Sequence, residues 1–342
     1  MHIAVLVPGI HDRPTGGNVY NRRVAEALRA HATVDLVPWP DDAPPPSLAL
    51  PRGAVVLVDS LLAPRLDGLD ALQREHPTAS FVLLSHYLHC IDPTAHAPAA
   101  AATERAGLPR FNGVVTTSPF AKRALTKEGV PEDHIGVAPP GLDDMYRAPP
   151  PERSTDAPPH LLTVASLLPG KGLPRLLDIL GALTDRAWTW TLVGDDTLDP
   201  NFAASLRQQI QTCSFSDRVT VTGALPPTDL RAHYDRADVF VLPSRFETCS
   251  MATREAMARG CPVVAFAVGG LPDNLGEAPA GRLVPSGDAD AFADALRSLL
   301  TTPSDRRRMG AAARERSRAF PSWPATAEQV LDALRRLPRP SR

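Results

Sequence analysis

Two glutamates, Glu247 and Glu255, stand eight positions apart in the segment PSRFETCSMATREAMARG. Glu247 lies in the loop after an apolar run, and Glu255 lies in the early turns of a helix that we predict to begin near Met251. Carboxylates accept hydrogen bonds from hydroxyl groups, and the N–H groups of Cys249, Ser250 and Met251 at the helix start suit a phosphate. The spacing therefore predicts a site for a ligand that carries both groups, as a sugar nucleotide does. The alternative is that Glu255 only complements the helix dipole and Glu247 is solvated.

Two glycine-rich turns are further candidates for phosphate binding. Gly170-Lys171-Gly172 separates an apolar run from a helical segment, so the lysine can act as a point charge beside the free N–H groups of a helix start. Gly16-Gly17 stands in the same position in the first half of the chain. Neither turn matches the G-x-G-x-x-G or Walker A pattern. The alternatives are a surface lysine in a turn and a plain loop.

Two histidines, His86 and His89, follow the fourth apolar run of the chain, where the carboxyl end of a parallel strand opens onto a ligand site. Packing in the core is the alternative for at least one of them. A metal site made of His86, His89, Cys90 and His96 is a third interpretation, but this spacing matches no standard zinc pattern.

Apolar runs that alternate with amphipathic segments must position these residues. The pattern is typical of α/β domains in which helices cover both faces of a parallel sheet. The predicted strands are 3–7, 34–37, 54–58, 81–84, 113–117, 135–138, 161–165, 188–193, 218–222, 238–242, 262–266 and 281–284.

The chain has 342 residues, which predicts about two domains. The proline-rich stretch 147–160 near the midpoint is the expected linker. The start of the sequence reads as a strand and no stretch approaches about 20 apolar residues, so we expect neither a signal peptide nor a membrane span. A net charge of −2 disfavours nucleic-acid binding, and four scattered cysteines favour a reducing, cytoplasmic setting.

The long segment from Pro243 through VGGLPDNL resembles the retaining glycosyltransferase family 4, whose signature E-x(7)-E corresponds to Glu247 and Glu255. The similarity extends over nearly the whole chain and includes HIGVAPPGLD at 134–143 and VGDD at 193–196, which contains Gly194. It implies the GT-B architecture, α/β with two doubly wound Rossmann-like parallel-sheet domains that face each other across a cleft. The implied domains are 1–148, with the helix at 320–342 packing back on it, and 158–319.

The resemblance also implies roles for the candidate residues. Glu247 would hold the hydroxyls of the donor sugar, and Glu255 those of the ribose. Lys171 would neutralise the leaving diphosphate with the amides of Ser250, Met251 and the Gly16-Gly17 loop. His86 would lie near the sugar and the approaching acceptor.

Three positions depart from the family pattern. Ser166 stands where the family usually has a diphosphate-binding cation, and Arg175, Arg245 and Arg254 are the candidate replacements. Cys249-Ser250 replaces the aromatic-glycine pair that follows the first glutamate. Pro140 replaces the asparagine of the N-G-V-D turn.

The expected activity is transfer of a sugar, with retention of configuration, from a nucleoside diphosphate sugar to a small acceptor. No cofactor or obligatory metal is expected, and at most weak membrane association. The alternatives are a nucleotide-sugar epimerase of the same architecture and a non-catalytic nucleotide-sugar-binding protein.

Overall fold

Residues 1–153 and 157–338 are described in a computed structural model of the chain. They form two compact units. The N-terminal unit comprises Met1–Gly141 and the chain from Pro321 onward, and the C-terminal unit comprises Leu142–Phe320.

The N-terminal unit contains a parallel sheet of six strands in the order β2-β1-β3-β4-β5-β6. Helices cover both faces, and so the inner strands are mostly apolar; every residue of β3 is buried, including Asp59 at its end. The chain reverses direction across the sheet between β1 and β3, which is the topological switch point. The strands and helices are β1 (His2–Pro8), α1 (Gly16–Leu28), β2 (Thr33–Trp39), β3 (Val55–Asp59), α2 (Leu66–Glu75), β4 (Ser80–Ser85), α3 (Pro98–Gly107), β5 (Gly113–Thr116), α4 (Pro119–Lys127) and β6 (Ile135–Val137).

The C-terminal unit repeats this architecture with the strand order β12-β11-β10-β7-β8-β9, again all parallel. Its switch point lies between β7 and β10, which pair side by side. Its elements are α5 (Asp144–Arg147), β7 (His160–Val164), α6 (Leu173–Gly181), β8 (Thr189–Val193), α7 (Pro200–Thr212), β9 (Val219–Gly223), α8 (Pro227–Arg236), β10 (Val239–Leu242), α9 (Met251–Ala258), β11 (Val263–Phe266), α10 (Leu271–Leu275), β12 (Gly281–Val284), α11 (Ala289–Thr301) and α12 (Pro303–Ser317).

All of the predicted strands are present, with ends that differ by one or two residues. The last helix, α13 (Trp323–Arg336), belongs to the N-terminal unit. It packs so closely on β6 that a Cβ on Gly136 would lie 2.3 Å from the Cβ of Ala333. The hydroxyl of Thr326 also donates to the carbonyl of Pro139 (2.8 Å).

The boundary between the units lies between Gly141 and Leu142, ahead of the proline-rich stretch at 147–160 where we placed the linker. We call residues 142–153 the connecting segment. Arg259, which is fully buried, donates to the carbonyls of Tyr146 (3.2 Å) and Ala148 and so fixes this segment to the C-terminal unit. Proline content alone did not reveal these hydrogen bonds. Residues 154–156 of the expected linker lie outside the described residues.

Two further observations concern membrane-spanning helices and the state of the cysteines. Within 1–153 and 157–338, no helix combines the length and the apolar composition that crossing a bilayer requires. Cys90, Cys213, Cys249 and Cys261 are all free thiols.

Candidate active site

Lys171 and Glu247 form an ion pair in the C-terminal unit. Lys171 follows β7 and Glu247 follows β10, so the two loops leave the sheet on either side of the switch point. The lysine Nζ lies 2.8 Å from Oε1 of Glu247, and the hydroxyl of Ser244 donates to the same oxygen (2.7 Å). Glu247 is buried, whereas the Lys171 side chain is 28% exposed. The pair thus offers a half-exposed cation held by a buried carboxylate.

Gly172 allows the two loops to approach each other. Its φ is +66°, and a Cβ there would lie 2.1 Å from the carbonyl oxygen of Pro243. Nearby, the N–H of Arg245 donates to the carbonyl of Gly170 (2.9 Å), which also joins the two loops. The glycine therefore sets the position of the neighbouring Lys171 through backbone contacts.

The loop between Glu247 and α9 is fixed through its carbonyl groups. The amide of Asn274 donates to the carbonyls of Cys249 and Ser250. Because a trans peptide points its N–H opposite to its C=O, the N–H groups of Ser250 and Met251 point away from Asn274. These are the two amides that the resemblance assigns to a diphosphate.

Ser250 is the one non-glycine residue with positive φ (62°) among those described. Its hydroxyl accepts the N–H of Thr253 (3.4 Å) as the N-cap of α9. The family's glycine at this place fits such a backbone, and serine adopts it here at a cost in strain. Cys249 is buried, and its burial raises the pKa of the thiol.

Glu255 lies on α9 and is half-buried. The hydroxyl of Tyr234, on α8, donates to its Oε2 (2.8 Å). Burial raises the pKa of Glu255 to about 7, and Asp143 adds to the effect while the bond from Tyr234 opposes it. A carboxyl group that titrates near neutrality and lies beside a predicted ligand site is a candidate binding group.

Ser166 and Gly194 lie in adjacent loops. The N–H of Leu167 donates to the carbonyl of Asp195 (2.8 Å), which joins the loops after β7 and β8. A Cβ on Gly194 would lie 1.8 Å from the carbonyl oxygen of Ala165. Both predicted residues therefore lie at the carboxyl end of the sheet, next to the loop of Lys171.

The three candidate replacements for the missing cation have different surroundings. Arg175 donates to the carbonyl of Gly287 (2.8 Å), and Arg254 is buried, with its guanidinium 4.4 Å from the ring centroid of Phe320. Arg245 is exposed, and its backbone binds the Lys171 loop directly. Because of this position, Arg245 is the favoured replacement for the missing cation.

A second polar cluster lies at the switch point of the N-terminal unit. His86 follows β4, and a Cβ on Gly17 would lie 3.2 Å from its ring. The His86 Nε2 lies 2.7 Å from Oδ1 of Asn21, whose amide donates to Asp59 (2.5 Å). The sequence predicted His86 and Gly17, but it did not predict Asn21 and Asp59.

This hydrogen-bond chain fixes the state of His86. Asn21 uses its amide on Asp59, so its oxygen accepts the Nε2–H of His86. Burial lowers the pKa of the imidazole, which the carboxylate of Asp59 opposes. The neutral ring then has Nδ1 as its acceptor atom.

Gly16 begins α1, which Thr15 caps through the N–H of Asn18 (3.3 Å).

The metal alternative is not supported by the arrangement of its residues. His89 instead contacts the buried Glu104 (2.8 Å), which also accepts the N–H of Cys90 (2.9 Å). Within the described part of the chain, no three His, Cys, Asp or Glu side chains are arranged to hold a metal ion.

Sequence comparison identifies the C-terminal half. The model of the family "Glycosyl transferases group 1" matches residues 147–316, the region that carries Lys171, Glu247 and Glu255. The C-terminal half of this chain is a group 1 glycosyl transferase domain. This confirms the resemblance to glycosyltransferases that the E-x(7)-E segment indicated.

Similar proteins with curated names are glycosyltransferases. This chain is 35% identical over 212 residues to a D-inositol 3-phosphate glycosyltransferase of Corynebacterium glutamicum, and the match covers 58% of this chain and 50% of that protein. It is 30% identical over 240 residues to a GDP-mannose-dependent alpha-(1-6)-phosphatidylinositol monomannoside mannosyltransferase of Mycobacterium tuberculosis, and this match covers 65% of this chain and 61% of that protein. The chain spans about half the length of the first of these relatives.

Solved structures confirm the predicted GT-B fold class. A sucrose-phosphate synthase from Thermosynechococcus elongatus superposes with a TM-score of 0.80 at 24% identity, over 98% of each chain. HepE of Anabaena, in complex with UDP and glucose, gives a TM-score of 0.80 at 17% identity, over 97% of this chain and 99% of that one. At these identities the likeness concerns the fold alone.

Proposed function

We propose that this chain is a retaining glycosyltransferase that transfers a sugar from a nucleoside diphosphate sugar to a small acceptor. The observation that carries the proposal is the Lys171–Glu247 pair at the switch point of the group 1 domain. A cation for a diphosphate and a carboxylate for sugar hydroxyls lie there within one hydrogen bond of each other. The names of the relatives support the same reaction class.

In the proposed reaction the bond between the anomeric carbon and the diphosphate oxygen breaks, and a bond from the acceptor to the same carbon forms on the same face. The departing diphosphate takes the acceptor proton, so no protein base is required. Lys171 and the N–H groups of Ser250 and Met251 stabilise the charge that develops on the diphosphate. Glu247 holds sugar hydroxyls and Glu255 holds those of the ribose. His86 contacts the substrate as a neutral imidazole.

Three finer features belong to the proposal. The reaction runs without an obligatory metal, because Lys171 and backbone amides supply the positive groups for the diphosphate. The protein works in the cytoplasm, which is consistent with its four free thiols. The acceptor is a small polar molecule, and phosphorylated cyclitols are the first to try because one relative is named for D-inositol 3-phosphate.

The test is product analysis with purified full-length protein. UDP-glucose, GDP-mannose and related donors are each incubated with inositol phosphates and simple sugars, and release of nucleoside diphosphate is measured with and without EDTA. We expect acceptor-dependent release that EDTA leaves unchanged, and NMR of the product should show the anomeric configuration of the donor. Glu247→Gln should lower the rate at least about a hundredfold. Glu277→Gln, which changes an exposed carboxylate of the same domain, is the matched control.

Two outcomes would overturn the proposal. Conversion of the donor to its sugar epimer in the absence of any acceptor would identify an epimerase. Tight donor binding with neither transfer nor hydrolysis would identify a binding protein. The replacement of the usual cation by Ser166 would then explain the loss of activity.

A further inference from the structure

The environment of Glu255 contains a tyrosine that the proposed chemistry does not use. Tyr234 is fully buried, and its hydroxyl donates to Oε2 of Glu255 (2.8 Å). We propose that Tyr234 is the positioning residue for nucleotide binding, because it fixes one carboxylate oxygen of Glu255 and leaves the other as an acceptor for the ligand's hydroxyls. This inference rests on the proposed function, which assigns the nucleotide ribose to Glu255.

The hydrogen bond determines which atoms of Glu255 remain for a ligand. An ionised carboxylate only accepts hydrogen bonds, whereas a protonated one carries a donor hydrogen on one oxygen. Tyr234 donates to Oε2, so the carboxylate loses this bond when it turns away from the tyrosine, and Oε1 lies on the side of the carboxylate that this bond does not use. Oε1 then keeps the orientation that paired hydroxyls of a ribose require.

The groups that surround Glu255 make this bond important near neutral pH. Burial opposes the charged form, and Asp143, which precedes α5, adds repulsion. The bond from Tyr234 acts in the opposite direction and favours the carboxylate. Among these, Tyr234 is the group that favours the acceptor-only form, and the carboxyl titrates at about 7 in its presence.

Tyr234 itself is held on several sides. Its ring packs edge to face against Tyr146 of the connecting segment, with centroids 5.8 Å apart, and tilted against Phe240 of β10 at 6.1 Å. Arg153, also in the connecting segment, donates to its carbonyl (3.4 Å). A side chain held in this way loses little entropy when it orients Glu255.

The test compares Tyr234→Phe with Glu255→Gln and a control, Thr163→Val. The control removes a buried hydroxyl of the same unit that donates to Val241 (2.8 Å) on β10. The probe is whichever of UDP, GDP, ADP, CDP and TDP binds the wild type most tightly. Its dissociation constant is measured by calorimetry from pH 6 to 9, and circular dichroism verifies that each variant is folded.

We expect wild-type affinity to fall as the pH drops through about 7, since protonation of Glu255 removes an acceptor. In Tyr234→Phe the carboxyl should hold its proton to a higher pH, so affinity at pH 7 should fall about tenfold and recover toward the wild-type value at pH 9. Glu255→Gln should bind weakly at every pH and retain only the titration of the ligand's phosphate. Thr163→Val should follow the wild-type profile.

Two results separate failure of this inference from failure of the proposed function. If Tyr234→Phe follows the wild-type pH profile while Glu255→Gln binds weakly, the role of Tyr234 is wrong and the nucleotide site stands. If Glu255→Gln binds like the wild type, the nucleotide assignment itself is wrong.

A second measurement does not depend on the folding of Tyr234→Phe. The protein has four tyrosines, so ring-labelled tyrosine gives few NMR signals. One ζ-carbon signal should titrate with a midpoint near pH 7 in the wild type and lose that titration in Glu255→Gln. A spectrum in which no tyrosine responds to Glu255 would overturn the inference.

Discussion

Glu247 and Glu255 are both glutamates of one signature, but their surroundings give them different properties. Glu247 contacts Lys171 and Ser244, whereas Glu255 accepts a hydrogen bond from the hydroxyl of Tyr234 and has a pKa raised to about 7. Spacing along the sequence identified both carboxylates as candidate site residues. It could not predict the Lys171–Glu247 contact, because that contact depends on β10 lying next to β7 in the sheet.

The raised pKa of Glu255 predicts a pH-dependent difference in stability between the wild type and Glu255→Gln. Between pH 4.5 and about 7 the folded protein keeps the proton that the unfolded chain has released, so rising pH favours unfolding. The free energy of unfolding of the wild type should therefore fall relative to the variant by up to about 3 kcal/mol across this range. Urea unfolding at pH 4.5, 6 and 8 measures it. A difference that does not change with pH would contradict the assigned pKa.

Arg245 should supply part of the positive charge that Ser166 lacks. We expect Arg245→Ala to weaken binding of a nucleoside diphosphate about fivefold, and more at low salt, because Arg245 is exposed and its backbone N–H donates to Gly170 of the Lys171 loop. Arg175→Ala is the matched control, since Arg175 is also exposed and its guanidinium donates to the carbonyl of Gly287. Calorimetric titration at two salt concentrations measures both. Equal effects of the two substitutions would remove Arg245 from the site.

At the scale of elements, the sequence predicted every strand, because the alternation of apolar runs with amphipathic segments is a local signal, and capping residues are a local signal as well. Ser118 caps α4 through the N–H of Ala121 (3.1 Å), with Pro119 at the first helical position. The left-handed backbone of Ser250 was not predicted, since a serine gives no local sign of positive φ. The roles of Asn274 and Tyr234 were also missed, because both depend on contacts between elements that are distant in sequence.

The turn at Gly172 yields a test of how the Lys171 loop is positioned. Gly172→Ala combines a strained φ with a Cβ that would lie 2.1 Å from Pro243. Gly223→Ala has a similar φ of 75° but meets no atom within 4 Å, so it carries the strain alone, about 1 kcal/mol. We expect Gly172→Ala to cost clearly more in urea unfolding and to weaken nucleoside diphosphate binding. Equal costs with unchanged binding would show that the contact with Pro243 does not position the loop.

At the scale of the whole molecule, the chain repeats one architecture, and each unit carries polar residues at its own switch point. Alternation of strands and helices predicted this repetition. The boundary was predicted too late in the chain, since proline content indicates extended backbone but not which unit that backbone binds. Arg259 donates to carbonyls of the connecting segment. Arg153, within that segment, donates in turn to the carbonyls of Gly260 and Arg259.

Arg259 should therefore be important for the stability of the C-terminal unit. It is fully buried and lies 2.5 Å from a carboxylate oxygen of Asp235, so Arg259→Met would remove the closer arginine contact to that carboxylate and leave the carbonyls of the connecting segment without this donor. We expect a loss of about 3–5 kcal/mol in thermal or urea unfolding. Arg231→Met is the control, because Arg231 approaches the same carboxylate at 3.5 Å from a more exposed position. Its cost should stay below about 1 kcal/mol, and equal costs would contradict the role of Arg259.

We propose that the group 1 domain binds a nucleoside diphosphate through Glu255 and Lys171. The most direct test is a thermal-shift panel of UDP, GDP, ADP, TDP and CDP with the wild type and Glu255→Ala. A ligand at a hundred times its dissociation constant adds about 2.7 kcal/mol of stability, which such a scan detects readily. We predict that one diphosphate raises the melting temperature of the wild type selectively and that Glu255→Ala abolishes the shift. No shift with any diphosphate at millimolar concentration, or the same shift in the variant, would contradict the claim.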